Sequence, residues 1–110
     1  MFKKEFRLDR NVKFNNSFTF SAPEFVLKGK KNGLIVNRFG IVVSKKIDKR
    51  ATARNKIKRI FRSSLLDLNK NMTVGHDILF IVKIGILGKK KEEIQLAIKS
   101  VLEKAGFIKK

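Results

Sequence analysis

One segment limits what this chain can fold into. Between Ser44 and Leu68 the apolar residues Ile57, Ile60, Phe61, Leu65 and Leu68 recur at intervals of three and four, the spacing that lines side chains up as one buried stripe on an α-helix. The other faces are cationic. Arg54, Lys58 and Arg62 stand at i, i+4 and i+8, and Asn55 and Arg59 form an i, i+4 pair between that row and the stripe. Nine of the 27 basic residues (Lys45, Lys46, Lys49, Arg50, Arg54, Lys56, Lys58, Arg59, Arg62) fall in the 18 positions from Lys45 to Arg62, against one acid, Asp48. Like charges four apart on a helix repel by a few tenths of a kcal/mol per pair, and a merely solvated face normally mixes its signs. The segment predicts a helix anchored on one side by a core and offered on the other to an anionic partner.

The whole chain leans the same way. A formal net charge of +18 over 110 residues is far beyond what solubility needs and makes nucleic acid the first candidate partner, an anionic membrane the second. The membrane reading conflicts with the stripe, which a core requires. No apolar run approaches the about 20 residues of a membrane span, and Met1-Phe2-Lys3-Lys4-Glu5 lacks the apolar core of a signal peptide. The expectation is a soluble, cytoplasmic protein. The length suits one domain, residues 1–110, burying roughly 65% of its unfolded surface, with residues 1–13 as a loosely ordered basic arm.

Taken in order, Phe18, Phe20, Phe25 and Leu27 alternate with mostly polar residues, the period of a half-buried strand, and Pro23 gives that strand an edge position or a bulge. Gly29 to Gly33 reads as a hairpin-type turn. Leu34-Ile35-Val36 and Phe39 to Val43 are apolar runs expected as one strand or two short ones, the second reaching the sheet centre. Thr52 is the best placed N-cap of the basic helix, which runs to about Leu68 and stops at Asn69-Lys70-Asn71. Gly75-His76-Asp77 is a turn into Ile78 to Val82, an unbroken apolar run typical of a central strand. A loop over Ile84 to Lys89 leads to a helix over about Lys91 to Ala105, with Glu92 and Glu93 near its N-terminus and Gly106 ending it. The order strand, strand, helix, strand, helix predicts an α+β fold with one sheet under helices.

No catalytic constellation is present. There is no cysteine, one histidine and only nine acids, no phosphate-cradling glycine loop and no nucleophile set. His76 beside Asp77 suggests a base with its orienter, but a turn role for His76 and a local backbone-acceptor role for Asp77 explain the pair as well. Of the ten Phe, Phe39, Phe61 and Phe80 fit core periods. Phe14, Phe18, Phe20 and Phe25 suit either a core or the stacking of unpaired bases.

Ser44-Lys45-Lys46, followed after a short linker by Ala53-Arg54-Asn55-Lys56-Ile57-Lys58-Arg59 and Arg62, resembles the signature of the bacterial ribonuclease P protein subunit. Echoes stand at Gly75-His76-Asp77, Gly85-Ile86-Leu87 and Lys104-Ala105-Gly106. Lys56 occupies a position where that family carries arginine, which keeps the charge and loses the planar fork that pairs bidentately with phosphate. The resemblance implies a two-layer α+β sandwich, one mixed sheet against helices, with a left-handed strand-helix-strand crossover that runs against the general rule. It also implies an accessory subunit, monomeric in a 1:1 complex with a catalytic RNA, that assists removal of the 5′ leader from precursor tRNA. Catalysis, with magnesium held mainly by RNA and substrate, belongs to the RNA, and the protein alone is inactive. The RNA-binding residues it implies are Lys45, Lys46, Arg50, Arg54, Asn55, Lys56, Lys58, Arg59 and Arg62, and the leader contacts are Phe14, Phe18 and Lys58 in a cleft between sheet face and helices. The rival is a ribosomal or chromatin-type protein that only coats nucleic acid, which would carry its charge in tails or repeats more often than on one anchored helix.

Overall fold

A computed structural model describes residues 17–108. Four strands, β1 (Phe18–Ser21), β2 (Phe25–Lys31), β3 (Arg38–Val42) and β4 (His76–Val82), form one sheet in the order β1-β2-β4-β3. Two helices, α1 (Ala51–Leu68) between β3 and β4 and α2 (Lys91–Lys104) after β4, cover one face. β1 with β2 and β2 with β4 are antiparallel, and β3 with β4 is parallel. The sheet is therefore mixed, and α1 is the crossover that parallel neighbours require.

Side chains alternate across a sheet, and the register sorts them. Phe25, Leu27, Phe39, Ile78, Phe80 and Val82 share the face under the helices, where α1 contributes Phe61 and Leu65 and α2 contributes Ile94, Ile98, Val101 and Leu102. At the centre Phe25, Phe61 and Phe80 meet edge to face, with ring centroids 5.7, 5.2 and 5.5 Å apart, the arrangement aromatic quadrupoles favour. Ile57, Ile60 and Leu68 complete the helical stripe as partly buried neighbours of this core.

Several local expectations are corrected. Phe18 to Lys28 is two strands, β1 and the start of β2, closed by a turn in which the Ala22 N–H donates to the Phe25 carbonyl at 2.8 Å. Pro23 sits inside that turn, where its missing N–H costs no ladder bond. Gly29 belongs to β2 because it lies opposite Phe18, whose ring approaches within 2.7 Å of where a Cβ would be. The turn starts later, at Asn32, whose Oδ1 accepts the Leu34 N–H at 2.7 Å, with Gly33 at φ 73°. That side-chain turn competes with strand pairing, so Leu34–Val36 is no strand and Ile35 is 86% exposed. β3 lies at the sheet edge, and β2 and β4 hold the centre.

At the start of α1, Thr52 is not the cap. Asp48 Oδ1 accepts the Arg50 N–H at 2.9 Å, which orders the chain so that the helix begins at Ala51 and Thr52 falls inside its first turn. α2 ends in a Schellman motif: the Phe107 N–H donates to the Leu102 carbonyl, the Gly106 N–H to that of Glu103, and Gly106 takes φ 83°.

Candidate nucleic-acid interface

The lead-in to α1 is a turn whose flanks are buried. Val43 and Ile47 sit in the core, and the Ile47 N–H donates to the Ser44 carbonyl at 3.0 Å. Lys45 and Lys46 are thereby held at the tip, exposed. Lys49 and Arg50 follow, also exposed, with the Arg50 guanidinium on both Asp48 oxygens at 3.2 and 3.1 Å. That side-chain hydrogen bond, reinforced by the Arg50 N–H, holds the Asp48 carboxyl below the usual carboxylate range. The only acid of the run is thus already occupied.

On the helix, packing of Phe61 and Leu65 fixes the rotation, and the cations fall where the spacing places them. Asn55, Lys56 and Arg59 are exposed, and Arg54, Lys58 and Arg62 are half-buried along the flank of the stripe. Half-buried Lys and Arg lay their aliphatic stems on apolar neighbours and leave the charged heads in water. Arg54 also bonds to the backbone, where one guanidinium nitrogen, Nη1, donates to the carbonyls of Asp48 and Lys49 at 3.0 and 2.9 Å. It ties the lysine-bearing turn to the first turn of α1, so the two cationic groups form one surface.

Of the leader residues that the resemblance implies, two, Phe18 and Lys58, fall among the described residues. Phe14 lies outside the described residues. Phe18 is a strand residue of β1. Its ring packs 5.4 Å from Phe107 and 6.0 Å from Phe20 at the β1 edge, leaving it 37% exposed. Lys58 is on α1, half-buried. Phe20 and Phe25 also belong to the helix-side packing.

The face of the sheet turned away from the helices carries cations that lie outside the basic helix and its lead-in. The register places Lys28, Lys30 and Arg38 on it, beside Val26, Leu79, Ile81 and Val42, a set of cations and aliphatics. The signal was present in β2, where Lys28 and Lys30 alternate with Phe25, Leu27 and Gly29.

His76 and Asp77 are not a catalytic pair. Adjacent strand residues point to opposite faces: the His76 ring stands edge-on to Phe107 at 4.9 Å on the helix side, and Asp77 on the other face accepts from Arg38 and Asn32. The acceptor role of Asp77 is met by these side-chain donors, in place of the local backbone N–H that the sequence offers as one alternative. Among the described residues no three His, Cys, Asp or Glu side chains come together as a metal site, so these residues do not fit a resident ion.

Comparison with known proteins decides the family. A family model described as Ribonuclease P matches residues 2–106, and the ribonuclease P protein component of Clostridium botulinum (strain 657 / Type Ba4) is 35% identical over 109 residues, covering 94% of this chain and 97% of that protein. The chain belongs to the ribonuclease P protein family. The ribonuclease P protein component of Haemophilus influenzae (strain PittGG) is 38% identical over 89 residues, 77% of this chain and 74% of that protein. Solved structures extend the likeness to the fold. The Staphylococcus aureus RNase P protein superposes with a TM-score of 0.85 at 27% identity, covering 94% of this chain and 97% of that one. The Thermotoga maritima RNase P protein gives 0.79 at 26% identity, covering 89% and 96%. Membership makes the chain an accessory subunit of an endoribonuclease, and no described helix is long and apolar enough to cross a membrane.

Proposed function

We propose that this protein binds the catalytic RNA of ribonuclease P as a single copy, in the cytoplasm, and assists its magnesium-dependent removal of the 5′ leader from precursor tRNA. The observation that carries the reading is the surface built by α1 and its lead-in: core packing turns Lys45, Lys46, Asn55, Lys56, Lys58 and Arg59 outward, Arg54 clamps the two parts together, and the one acid of the run is neutralised by Arg50. Such a surface offers fixed cations to phosphates that repel each other, so each contact releases condensed counterions instead of ordering a flexible chain. Lys45, Lys46, Arg50, Arg54, Asn55, Lys56, Lys58, Arg59 and Arg62 are assigned to the catalytic RNA. Lys58 and Phe14 are assigned to the leader, with Lys28 on the open sheet face as a further cation for a single strand. Phe18, named with Lys58 and Phe14 as a leader contact, is read as part of the hairpin packing, in keeping with its ring contacts to Phe107 and Phe20. Magnesium belongs to the RNA and the substrate in this reading, and the protein's part is to neutralise and position.

The test is reconstitution. Addition of the purified protein to a ribonuclease P RNA is expected to accelerate precursor tRNA cleavage at low magnesium, where charge neutralisation matters most, and the protein alone is expected to cleave nothing. Cleavage by rigorously RNA-free protein, or absence of any stimulation, contradicts the proposal.

A further inference from the structure

The topology collects a second set of lysines at the end of the sheet where the α1 lead-in emerges. β3 and β4 are parallel and end opposite each other, Val42 against Ile81, so the segments that follow them leave the sheet at the same end. The first is the turn with Lys45, Lys46 and Lys49. The second is the connection to α2, which carries Lys89 and Lys90 and runs into Lys91, the first residue of α2, all three exposed. The connection is held firmly. The Lys83 N–H donates to the Glu24 carbonyl at 2.9 Å, the Ile86 N–H to the Lys83 carbonyl at 3.0 Å and the Lys89 N–H to the Ile86 carbonyl at 3.2 Å. Ile86 is buried in the core, and Gly85 lies so close to the Pro23 carbonyl that a side chain there has no room.

The acids nearby do not cancel these lysines. Glu93 spends Oε1 on the Lys90 N–H at 3.0 Å and approaches only Lys89, at 4.0 Å. Asp48 is taken by Arg50. Among the described residues Lys90, Lys91 and the exposed Glu92 form no ion pair. Like charges gathered on one firmly held loop repel unless something anionic lies across them, and a rigid display loses little entropy when it is filled.

We infer that Lys89, Lys90 and Lys91 bind the phosphate backbone of the catalytic RNA, extending the α1 surface across the end of the sheet. This rests on the ribonuclease P reading and adds to it a contact that the basic helix does not supply. Lys90→Gln/Lys91→Gln, which leaves the Lys89–Glu93 pair in place, is compared in RNA-subunit titrations over a salt series with Lys99→Gln/Lys104→Gln. The second variant loses the same charge from exposed positions farther along α2. The loop variant is expected to lose affinity several-fold more than the control, with a log-log salt slope shallower by roughly 1.5, since each lost phosphate contact removes about 0.7 to 0.9. Both variants are expected to melt like wild type, and precursor tRNA is expected to bind equally well to holoenzymes assembled at saturating protein. Equal behaviour of the loop and control variants overturns the inference, and so does a loss confined to precursor tRNA. Failure of the wild-type protein to bind the RNA subunit would instead overturn the underlying ribonuclease P reading. A weakened Lys58→Ala/Arg59→Ala variant beside an unaffected loop variant leaves that reading standing and removes the extension.

Discussion

Arg38 and Asp77 sit opposite each other in the parallel register of β3 and β4, and the guanidinium Nε and Nη2 donate to Oδ1 and Oδ2 at 2.8 and 2.7 Å. Asp77 is 1% exposed, and Asn32 Nδ2 donates to Oδ1 at 2.9 Å while also donating to the Val36 carbonyl at 3.1 Å. The pair joins an edge strand to a central one and fixes the loop between β2 and β3. Burial pushes the Asp77 carboxyl up, but the hydrogen bonds from Arg38 and Asn32, with the charges of Arg38 and Lys30, bring it below its ordinary 3.8.

Arg38→Ala is therefore expected to strand a buried carboxylate. Breaking one side of such a pair costs about 3 to 5 kcal/mol, and the lower end applies because the Arg38 side chain is 27% exposed. Denaturant midpoints measure it, and Asp77→Asn in the same background should recover part of the loss. Because the folded carboxyl is depressed, its contribution is full above the ordinary value and fades as pH falls through the lower folded one. Wild type should lose stability on acidification below about pH 4 more steeply than Asp77→Asn.

His76 gives the opposite kind of group the same sign. Burial against Phe107 lowers its basicity, a backbone hydrogen bond at Thr73 partly opposes this, and Lys31 across the strand pair adds to the lowering. The folded protein thus resists taking a proton that the unfolded chain accepts near 6.5. Stability is full above that value and falls as pH drops through the folded value below it. His76→Phe, which keeps a ring against Phe107, should flatten the stability profile between about pH 7 and pH 5. An unchanged profile would show that His76 carries no such linkage.

These two predictions rest on contacts that local pattern does not reveal. The basic helix, β4 and α2 are legible because each carries a strong period or an unbroken apolar run, and Gly106 marks an end that the Schellman bonds bear out. The β1–β2 hairpin is not, because what keeps Gly29 inside a strand is the ring of Phe18, 11 residues earlier. β3 reads as central in the sequence because an apolar run tells how much is buried, not which neighbour buries it. The Arg38–Asp77 pair spans 39 residues and leaves no periodic trace. For the interface, the spacing on α1 locates the cations, but the double role of Arg54 depends on carbonyls that only the folded lead-in presents.

That double role separates the helix variants. Lys58→Ala and Arg59→Ala remove charges without backbone bonds of their own and should weaken RNA-subunit binding at unchanged melting temperature, each flattening the log-log salt slope by roughly 0.7 to 0.9. Arg54→Ala also removes two hydrogen bonds to the Asp48 and Lys49 carbonyls, worth roughly 1 kcal/mol each. It should weaken binding and lower the melting temperature together. If all three variants keep the wild-type slope, the helix face is solvated and no more.

The last prediction concerns the aromatics. Phe18 rests on Gly29 and Phe107 with about a third of its surface open, so Phe18→Ala removes packing from the hairpin edge. Its cost should fall below the about 3 to 5 kcal/mol of a fully buried Phe→Ala change and should appear as a lower melting temperature. Precursor and mature tRNA, which differ by the leader, should then lose binding to the holoenzyme equally, because the defect lies in the fold. Phe14→Ala should do the reverse, leaving the melt unchanged and weakening precursor alone by roughly 1 to 3 kcal/mol, the worth of one stacked base. Paired titrations of the two tRNAs beside thermal melts distinguish the cases. A precursor-specific loss in Phe18→Ala at wild-type melting temperature would move the leader to the β1 edge, against the packing seen there.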